Sequence, residues 1–140
     1  MKIQDAKILV VEDDSVMRMF VSNLLGRMGV REVREANDGQ IGLAMVASFR
    51  PDIILTDIHM APMNGLEFVK RLRAHTTIGL RRIPVLIMSA DSSSQTLNES
   101  VPLGIAGYII KPPVMSSLTV KLEHALKFRL AEQSAEAGAE

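Results

Sequence analysis

Short apolar runs alternate with stretches of helical periodicity along the whole 140-residue chain. Four apolar runs have the length of buried strands, and a fifth run, over 30–36, is short, charged and typical of an edge strand. Strands that alternate with helices predict βα units, whose right-handed crossovers give an α/β fold with a doubly wound parallel sheet. The predicted strands lie at 7–11, 30–36, 52–57, 83–89 and 107–111.

Helices are predicted between the strands, where apolar residues recur three or four positions apart. The first begins at a cap formed by Asp14 or Ser15 and stops at Gly29, and the second ends before Pro51. A polar loop is predicted at 75–82. The apolar helix positions are Met17, Phe20, Val21, Leu24, Leu25 and Met28, then Ile41, Ala44, Met45 and Phe49, then Leu66, Val69 and Leu72, and finally Leu118, Leu122, Ala125 and Leu126.

Two segments near the C-terminus carry weaker patterns. A fourth helix could begin near Ser94, but Pro102 lacks an N–H group and Gly104 has low helix propensity, so we predict that it is short. The last helix begins near Ser116. Because residues 131–140 add no further core positions, the chain is divided into one domain over 1–130 and a frayed C-terminal tail or linker stub over 131–140.

The charge balance and the composition exclude several classes of protein. Lys and Arg total 16, Asp and Glu total 16, and a net charge of zero indicates no basic surface for nucleic acid or membrane. The chain has no Cys, which excludes disulfides, thiolate metal sites and Cys nucleophiles. No run approaches the ~20 apolar residues of a membrane span, and no signal peptide is evident. We therefore expect a cytoplasmic protein.

Charged residues lie at the carboxyl ends of three of the predicted strands. Glu12 and Asp13 follow the first, Asp57 closes the third, and Lys111 closes the fifth. Ligands of a parallel α/β sheet bind beyond the carboxyl ends of its strands, so we expect these side chains to converge. Carboxylates this close repel one another unless a cation offsets their charge. Oxygen ligands select a hard cation, and we predict Mg²⁺, for which Mn²⁺ can substitute.

The segments around these strand ends resemble a known family. Val10–Arg18, Ile54–Met60, Val85–Ala90 and Gly107–Pro112 are similar, in order and spacing, to receiver domains of two-component response regulators, especially the stand-alone chemotaxis type. The resemblance covers about residues 6 to 128. It implies a flavodoxin-like (βα)5 three-layer sandwich with strand order 2-1-3-4-5.

The resemblance also implies roles for the residues at the strand ends. Asp57 is expected to be the phosphoacceptor, which takes a phosphoryl group from a histidine kinase or a histidine phosphotransfer protein. Asp13 is expected to bind Mg²⁺ directly and Glu12 directly or through water, although many relatives carry Asp at the position of Glu12. Asp57 and the backbone carbonyl of His59 complete the expected metal shell. Asp14 matches no ligand position and is interpreted as the helix cap.

Further residues match positions that respond to phosphorylation. The resemblance implies that Lys111 contacts the phosphoryl oxygens and that Pro112 follows a cis peptide bond. Ser89 matches the switch hydroxyl. Tyr108 matches the switch aromatic residue, although Tyr108 could equally well cover the core at an edge strand.

Two positions are expected to modulate the lifetime of the phosphoryl group. His59 and Asp91 each lie two residues after a matched site residue, Asp57 and Ser89 respectively. A solvated loop histidine is the alternative interpretation of His59. In the same loop, the proline that relatives usually carry directly after the methionine is displaced by one position to Pro62.

The expected function is a signalling switch rather than an enzyme. Phosphorylation would recruit Ser89, order the fourth helix and change the binding of an unknown target to the face formed by helix 4, strand 5 and helix 5. A phosphatase of the haloacid dehalogenase type needs a second Asp where His59 stands and a cap domain. Flavin binding needs a phosphate loop at 12–14, where this chain has acids. A degenerate receiver that only binds partners is disfavoured by the intact set of site residues.

Overall fold

One five-stranded parallel sheet organises the chain. The computed structural model describes residues 1–90 and 98–139, and describes side chains for residues 1–90 and 98–128. All neighbouring strands are parallel, and their order is β2-β1-β3-β4-β5. This order confirms the predicted doubly wound sheet. The strands are β1 (Lys7–Val11), β2 (Glu32–Ala36), β3 (Ile53–Asp57), β4 (Val85–Ser89) and β5 (Gly107–Ile110).

Helices follow four of the strands at the predicted places. They are α1 (Ser15–Arg27), α2 (Gly39–Phe49), α3 (Gly65–Arg73) and the C-terminal helix (Met115–Ala139). The Asp14 carboxylate caps α1 by accepting hydrogen bonds from two backbone N–H groups, as predicted. Gly29 follows α1 with φ +91°, a left-handed conformation that favours glycine. Among the residues that the structure describes, no helix is long and apolar enough to cross a membrane.

Two apolar clusters cover the opposite faces of the sheet. On one face, α1 and the C-terminal helix pack over strand residues such as Ile8 and Leu55. On the other, α2 and α3 pack over the alternate residues, such as Leu9 and Ile54. Because successive strand residues point to opposite faces, the central strands β1, β3 and β4 must be apolar on both sides. The result is the predicted three-layer sandwich.

The buried face of α2 differs from the prediction. Ile41 and Ala44 were predicted to face the core, but both are exposed, and Gly42 is buried instead. A Cβ atom on Gly42 would lie 3.1 Å from side-chain atoms of both Phe68 and Val11. The helix therefore approaches the sheet where it carries glycine, and its larger apolar residues are displaced to the margins.

Three further predictions need correction. Phe20 is exposed, because the buried stripe of α1 is centred on other residues and leaves Phe20 at its edge. The loop predicted over 75–82 contains a one-turn helix, Ile78–Arg81, which buries Leu80 in the cluster on the α3 face. The C-terminal helix continues over 131–139, a stretch rich in Ala and Glu with high helix propensity, so this stretch is helical rather than frayed. The division into a domain and a tail stays a prediction.

The segment before β5 ends as the sequence predicted. Residues 98–100 are helical, and Val101–Leu103 forms a 3-10 turn that contains Pro102. Gly104 follows with φ +67° and closes the turn. Residues 91–97, which include Asp91 and the predicted start of the fourth helix, lie outside the described residues. The expected ordering of this helix on activation therefore stays a prediction.

Arg73, the last residue of α3, joins three separate segments through its guanidinium group. Nη1 donates to the carbonyl oxygens of Arg81 at 2.9 Å and Ile83 at 2.7 Å. Nε donates to the carbonyl of Leu103 at 2.9 Å, and Nη2 donates to that of Gly104 at 3.3 Å. The guanidinium therefore ties α3 to the chain just before β4 and just before β5.

Truncation of this side chain is expected to destabilise the fold. Arg73→Ala leaves part-buried carbonyl groups without their donor, and we expect the free energy of unfolding to fall by about 2–3 kcal/mol in urea denaturation. Arg71→Ala is the matched control, because Arg71 lies on the same helix and forms an exposed pair with Glu67. The control should lose less than about 0.5 kcal/mol. Equal losses in the two variants would contradict the role of Arg73.

Candidate functional site

The strand ends that carry the acids meet at the switch point of the sheet. β1 and β3 are neighbours, but α1 and α3, which follow them, pack on opposite faces. The two connecting loops therefore diverge and leave a crevice, where ligands of such sheets bind. Glu12, Asp13 and Asp57 lie there, each with a carboxylate oxygen within 4.8 Å of the others. The predicted convergence of the acids is present in the structure.

The Asp57 carboxylate is held on both of its oxygens. Its Oδ1 accepts the backbone N–H of Ile58 at 2.7 Å, and its Oδ2 lies 3.2 Å from Nζ of Lys111. Asp57 is only 6% exposed, because it closes a fully buried strand. The carboxylate therefore has one defined orientation before any partner arrives.

Lys111 also donates a hydrogen bond to the buried Glu12. Burial raises the pKa of Glu12 to about 7, the hydrogen bond from Lys111 opposes this rise, and the charge of Asp57 adds to it. Burial lowers the pKa of Lys111, but Glu12 and Asp57 together outweigh it, so the pKa of Lys111 is raised. One ammonium group is thus shared between two carboxylates.

The donor set of the crevice fits a small hard cation. Glu12, Asp13 and Asp57 supply only oxygen atoms, and the one lysine beside them cannot offset three carboxylates when all are ionised. Mg²⁺ is commonly held by one or two carboxylates together with water and phosphate oxygens. Asp13 is exposed and can therefore meet a hydrated ion, whereas Glu12 is buried beneath it.

The first turn of α1 carries Arg18, which no sequence pattern marked as a site residue. Nη1 of Arg18 donates to the backbone carbonyl of Glu12 at 2.8 Å, and Nε of Arg18 pairs with Glu35 at 3.0 Å. Arg18 lies one helical turn after the Asp14 cap, so its spacing placed it near the acids. The sequence did not show which backbone group it binds.

The loop after Asp57 returns very close to the end of β3. The N–H of Gly65 donates to the carbonyl of Ile58 at 2.8 Å. A Cβ atom at Gly65 would lie 2.0 Å from the carbonyl oxygen of Asp57, so only glycine fits. The residue types of this loop did not show the contact with the backbone of the candidate phosphoacceptor.

The residues with predicted switch roles surround the same strand ends. Ser89 is buried at the end of β4, beside β3, and its carbonyl accepts the N–H of Lys111 at 3.0 Å. Tyr108 is half-buried on β5 and packs against the cluster on the α3 face. The Lys111–Pro112 peptide bond is cis, as the resemblance implied, and Ala61–Pro62 is cis as well. The switch roles themselves stay predictions.

His59 and Asp91 are the two residues predicted to modulate the lifetime of the phosphoryl group. The side chain of His59 is exposed in the loop after Asp57. Asp91 lies outside the described residues. Their influence on phosphoryl lifetime, and the metal contact of the His59 carbonyl, therefore stay predictions.

Comparison with known proteins assigns the family. A family model described as the response regulator receiver domain matches residues 8–123. The chain therefore belongs to the response regulator receiver domains, a family of signalling switches rather than classical enzymes.

Similar relatives are named as chemotaxis proteins. CheY-3 of Vibrio cholerae is 36% identical over 120 residues, which cover 86% of this chain and 91% of the relative. CheY of Pseudomonas aeruginosa is 35% identical over 117 residues, which cover 84% of this chain and 93% of the relative. The chain is thus similar to CheY-type receivers over most of its length.

Solved structures support the same assignment. Vibrio cholerae CheY4 has a TM-score of 0.79 at 33% identity and covers 86% of this chain and 98% of its own. The N-terminal domain of an uncharacterized Wolinella succinogenes protein also has a TM-score of 0.79, at 31% identity, with 91% and 99% covered. Both share the receiver fold that the strand order defines.

Removing one acid of the crevice is expected to separate metal binding from folding. Asp13→Asn should lower Mg²⁺ affinity in calorimetry because an ionised ligand is lost. The melting temperature of the metal-free protein should hold or rise, because three crowded carboxylates repel one another. A fall of many degrees with unchanged Mg²⁺ affinity would make Asp13 a structural residue.

Proposed function

We propose that this protein is a phospho-accepting response regulator. It takes a phosphoryl group from a histidine kinase or a histidine phosphotransfer protein onto Asp57, in a Mg²⁺-dependent reaction, and thereby switches partner binding. The carboxylate of Asp57 carries the proposal, because the Ile58 N–H and Lys111 hold it beside two further acids. A carboxylate in this position can act as a nucleophile toward phosphorus.

Apart from supplying Asp57 as the nucleophile, the protein assists the transfer mainly by positioning the reacting groups. An Asp57 oxygen forms a bond to phosphorus while the P–N bond of the donor phosphohistidine breaks. The electron pair of that bond stays on the ring nitrogen, which takes a proton from solvent. Lys111 lies beside Asp57 and can pair with the phosphoryl oxygens. When bound by Glu12, Asp13, Asp57 and the His59 carbonyl, Mg²⁺ would neutralise charge on the transferred group.

An apolar patch on α1 supports a helical protein as the phosphoryl donor. Val16 and Met19 are 75% and 62% exposed, and Phe20 lies beside them on the same helix. The patch begins three residues after Asp13, at the rim of the crevice. Exposed apolar residues at helical spacing are suited to packing against another helix. A donor histidine on such a helix would face Asp57.

The switch follows from the charge that phosphorylation adds. A phosphoryl group carries about −1.5 to −2 charges at neutral pH, which favours the approach of donors such as the Ser89 hydroxyl. Tyr108 lies on the adjacent β5, and Ile110 at the end of this strand is exposed, as is Val101 in the turn before it. We infer that the output partner binds this apolar surface, which includes the beginning of the C-terminal helix.

Acetyl phosphate and Mg²⁺ provide a test that needs no cognate kinase. Intact-mass spectrometry of the treated protein should show one added phosphate group per chain. Excess EDTA should prevent the addition, because the crowded acids then lack their cation. A protein that gains no phosphate with Mg²⁺, while a CheY relative in the same buffer does, would overturn the proposed function.

A further inference from the structure

Arg18 anchors the turn that carries the two metal acids. Its side chain is 20% exposed and lies against the turn rather than in solvent. Nη1 donates to the Glu12 carbonyl at 2.8 Å, so the contact is to the backbone that joins Glu12 to Asp13. Nε pairs with Glu35 on β2 at 3.0 Å, which fixes the plane of the guanidinium group.

The Glu12 carboxylate accepts the N–H of Asp14 at 3.4 Å, and further hydrogen bonds flank the peptide that Arg18 holds. Before it, the N–H of Glu12 donates to the Ala36 carbonyl at 3.0 Å. After it, the Asp14 carboxylate accepts the N–H groups of Val16 and Met17 at 2.9 Å and 3.2 Å. Between these anchors, the Glu12 carbonyl is held by Arg18. The exposed Asp13 carboxylate belongs to the residue directly after the carbonyl that Arg18 holds.

We propose that Arg18, oriented by Glu35, is a positioning residue for the cation site. It holds the Glu12–Asp13 peptide so that the Asp13 carboxylate faces Asp57 across the crevice. The inference rests on the proposed function, because it assigns Asp13 to the cation. Removal of contacts that orient a metal ligand without touching the metal commonly lowers metal affinity by about tenfold or more.

The direction in which Mg²⁺ affinity changes distinguishes a positioning role of Arg18 from a purely electrostatic effect of its charge. Arg18 carries a positive charge near a cation site, so loss of the charge alone would strengthen Mg²⁺ binding. Loss of positioning would weaken it. Calorimetric Mg²⁺ titration of Arg18→Ala is expected to show a Kd raised about tenfold, the lower end of the range for such orienting contacts.

Two further variants control for charge. Arg18→Lys keeps the charge but cannot make the same two directed hydrogen bonds, and its Kd should lie between wild type and Arg18→Ala. Arg31→Ala removes the same charge at the opposite edge of the sheet, where Arg31 forms an exposed pair with Asp5. Its Kd should match wild type. If Arg18→Ala does not fold, Arg18→Lys decides the question.

The Mg²⁺ dependence of the phosphorylation rate distinguishes a positioning role of Arg18 from a merely structural one. With acetyl phosphate as donor, the Arg18 variants should need more Mg²⁺ for half-maximal phosphorylation but reach the wild-type rate at saturating Mg²⁺. An unchanged or lowered Kd, or a rate that does not recover, would overturn the role of Arg18. If the wild type binds Mg²⁺ but gains no phosphate, the proposed function fails, and the calorimetric comparison still decides whether Arg18 positions the acids.

Discussion

Asp57→Asn is expected to abolish phosphate incorporation from acetyl phosphate in the intact-mass experiment. The amide oxygen can still accept the Ile58 N–H, which Asp57 Oδ1 accepts at 2.7 Å, so the local fold should persist. The amide is nevertheless a far weaker nucleophile than a carboxylate. The substitution also removes one charge from three crowded acids, so the melting temperature should be maintained or raised.

Asp14→Asn is the matched control for this experiment. It removes the same charge from the same edge of the sheet, and asparagine caps a helix about as well as aspartate, so α1 should remain capped. Asp14→Asn should incorporate one phosphate at a rate close to that of wild type. A label that survives Asp57→Asn, or that disappears equally in Asp14→Asn, would contradict Asp57 as the phosphoacceptor.

Gly65→Ala is expected to cause the largest loss of stability among single-methyl additions to the described glycines. The new Cβ would lie 2.0 Å from the Asp57 carbonyl oxygen and 2.9 Å from backbone carbon atoms of Asp57 and Ile58. Backbone of a central strand cannot move aside as a flexible side chain can. We expect a loss of about 3 kcal/mol or more in free energy of unfolding, at the upper end for overpacked sites.

The same substitution should impair the site as well as the fold. Relief of the clash requires the loop after Asp57 to move outward, which breaks the hydrogen bond from Gly65 N–H to the Ile58 carbonyl. Ile58 also orients the Asp57 carboxylate through its own N–H. Folded Gly65→Ala protein should therefore accept phosphate from acetyl phosphate more slowly than wild type at saturating Mg²⁺.

Gly26→Ala is the control for Gly65→Ala. A Cβ atom at Gly26, inside α1, would meet nothing within 4 Å. Alanine in an exposed helix is favoured over glycine by about 0.5–1 kcal/mol, so this variant should be as stable as wild type or more stable. If Gly65→Ala unfolded at the same urea concentration as Gly26→Ala, the close approach of Gly65 to the Asp57 backbone would be wrong.

The substitutions Asp57→Asn and Gly65→Ala act on groups that lie next to one another in the crevice. Lys111 is shared between Glu12 and Asp57, and the backbone of Ile58 supports both the acceptor and the loop that ends at Gly65. The acceptor carboxylate is therefore oriented by groups that also hold the fold together. Changes that move this backbone should affect phosphorylation and stability in parallel, whereas changes to side-chain charge should separate them.

The sequence by itself determined the sheet, its strand boundaries to within two residues and the strand ends at which the acids lie. Apart from the charged edge strand β2, each strand is a local apolar run, and parallel topology brings the carboxyl ends of all strands to one edge. That is why Glu12, Asp13, Asp57 and Lys111 could be expected at one place before their distances were known. The assignment of roles to these residues came from the family resemblance rather than from periodicity.

Only the tertiary structure decided the contacts between segments that are far apart in the chain. Ile41 belongs to the apolar pattern that marked α2 but is exposed, because the glycine face of this helix packs on the sheet, where a Cβ atom on Gly42 would lie 3.1 Å from Phe68. Arg18 and Arg73 each bind backbone carbonyls, and sequence patterns do not show which ones. Glycine is needed at position 65 because the folded loop brings this residue against the Asp57 backbone. Local conformational propensity does not predict how close two segments approach.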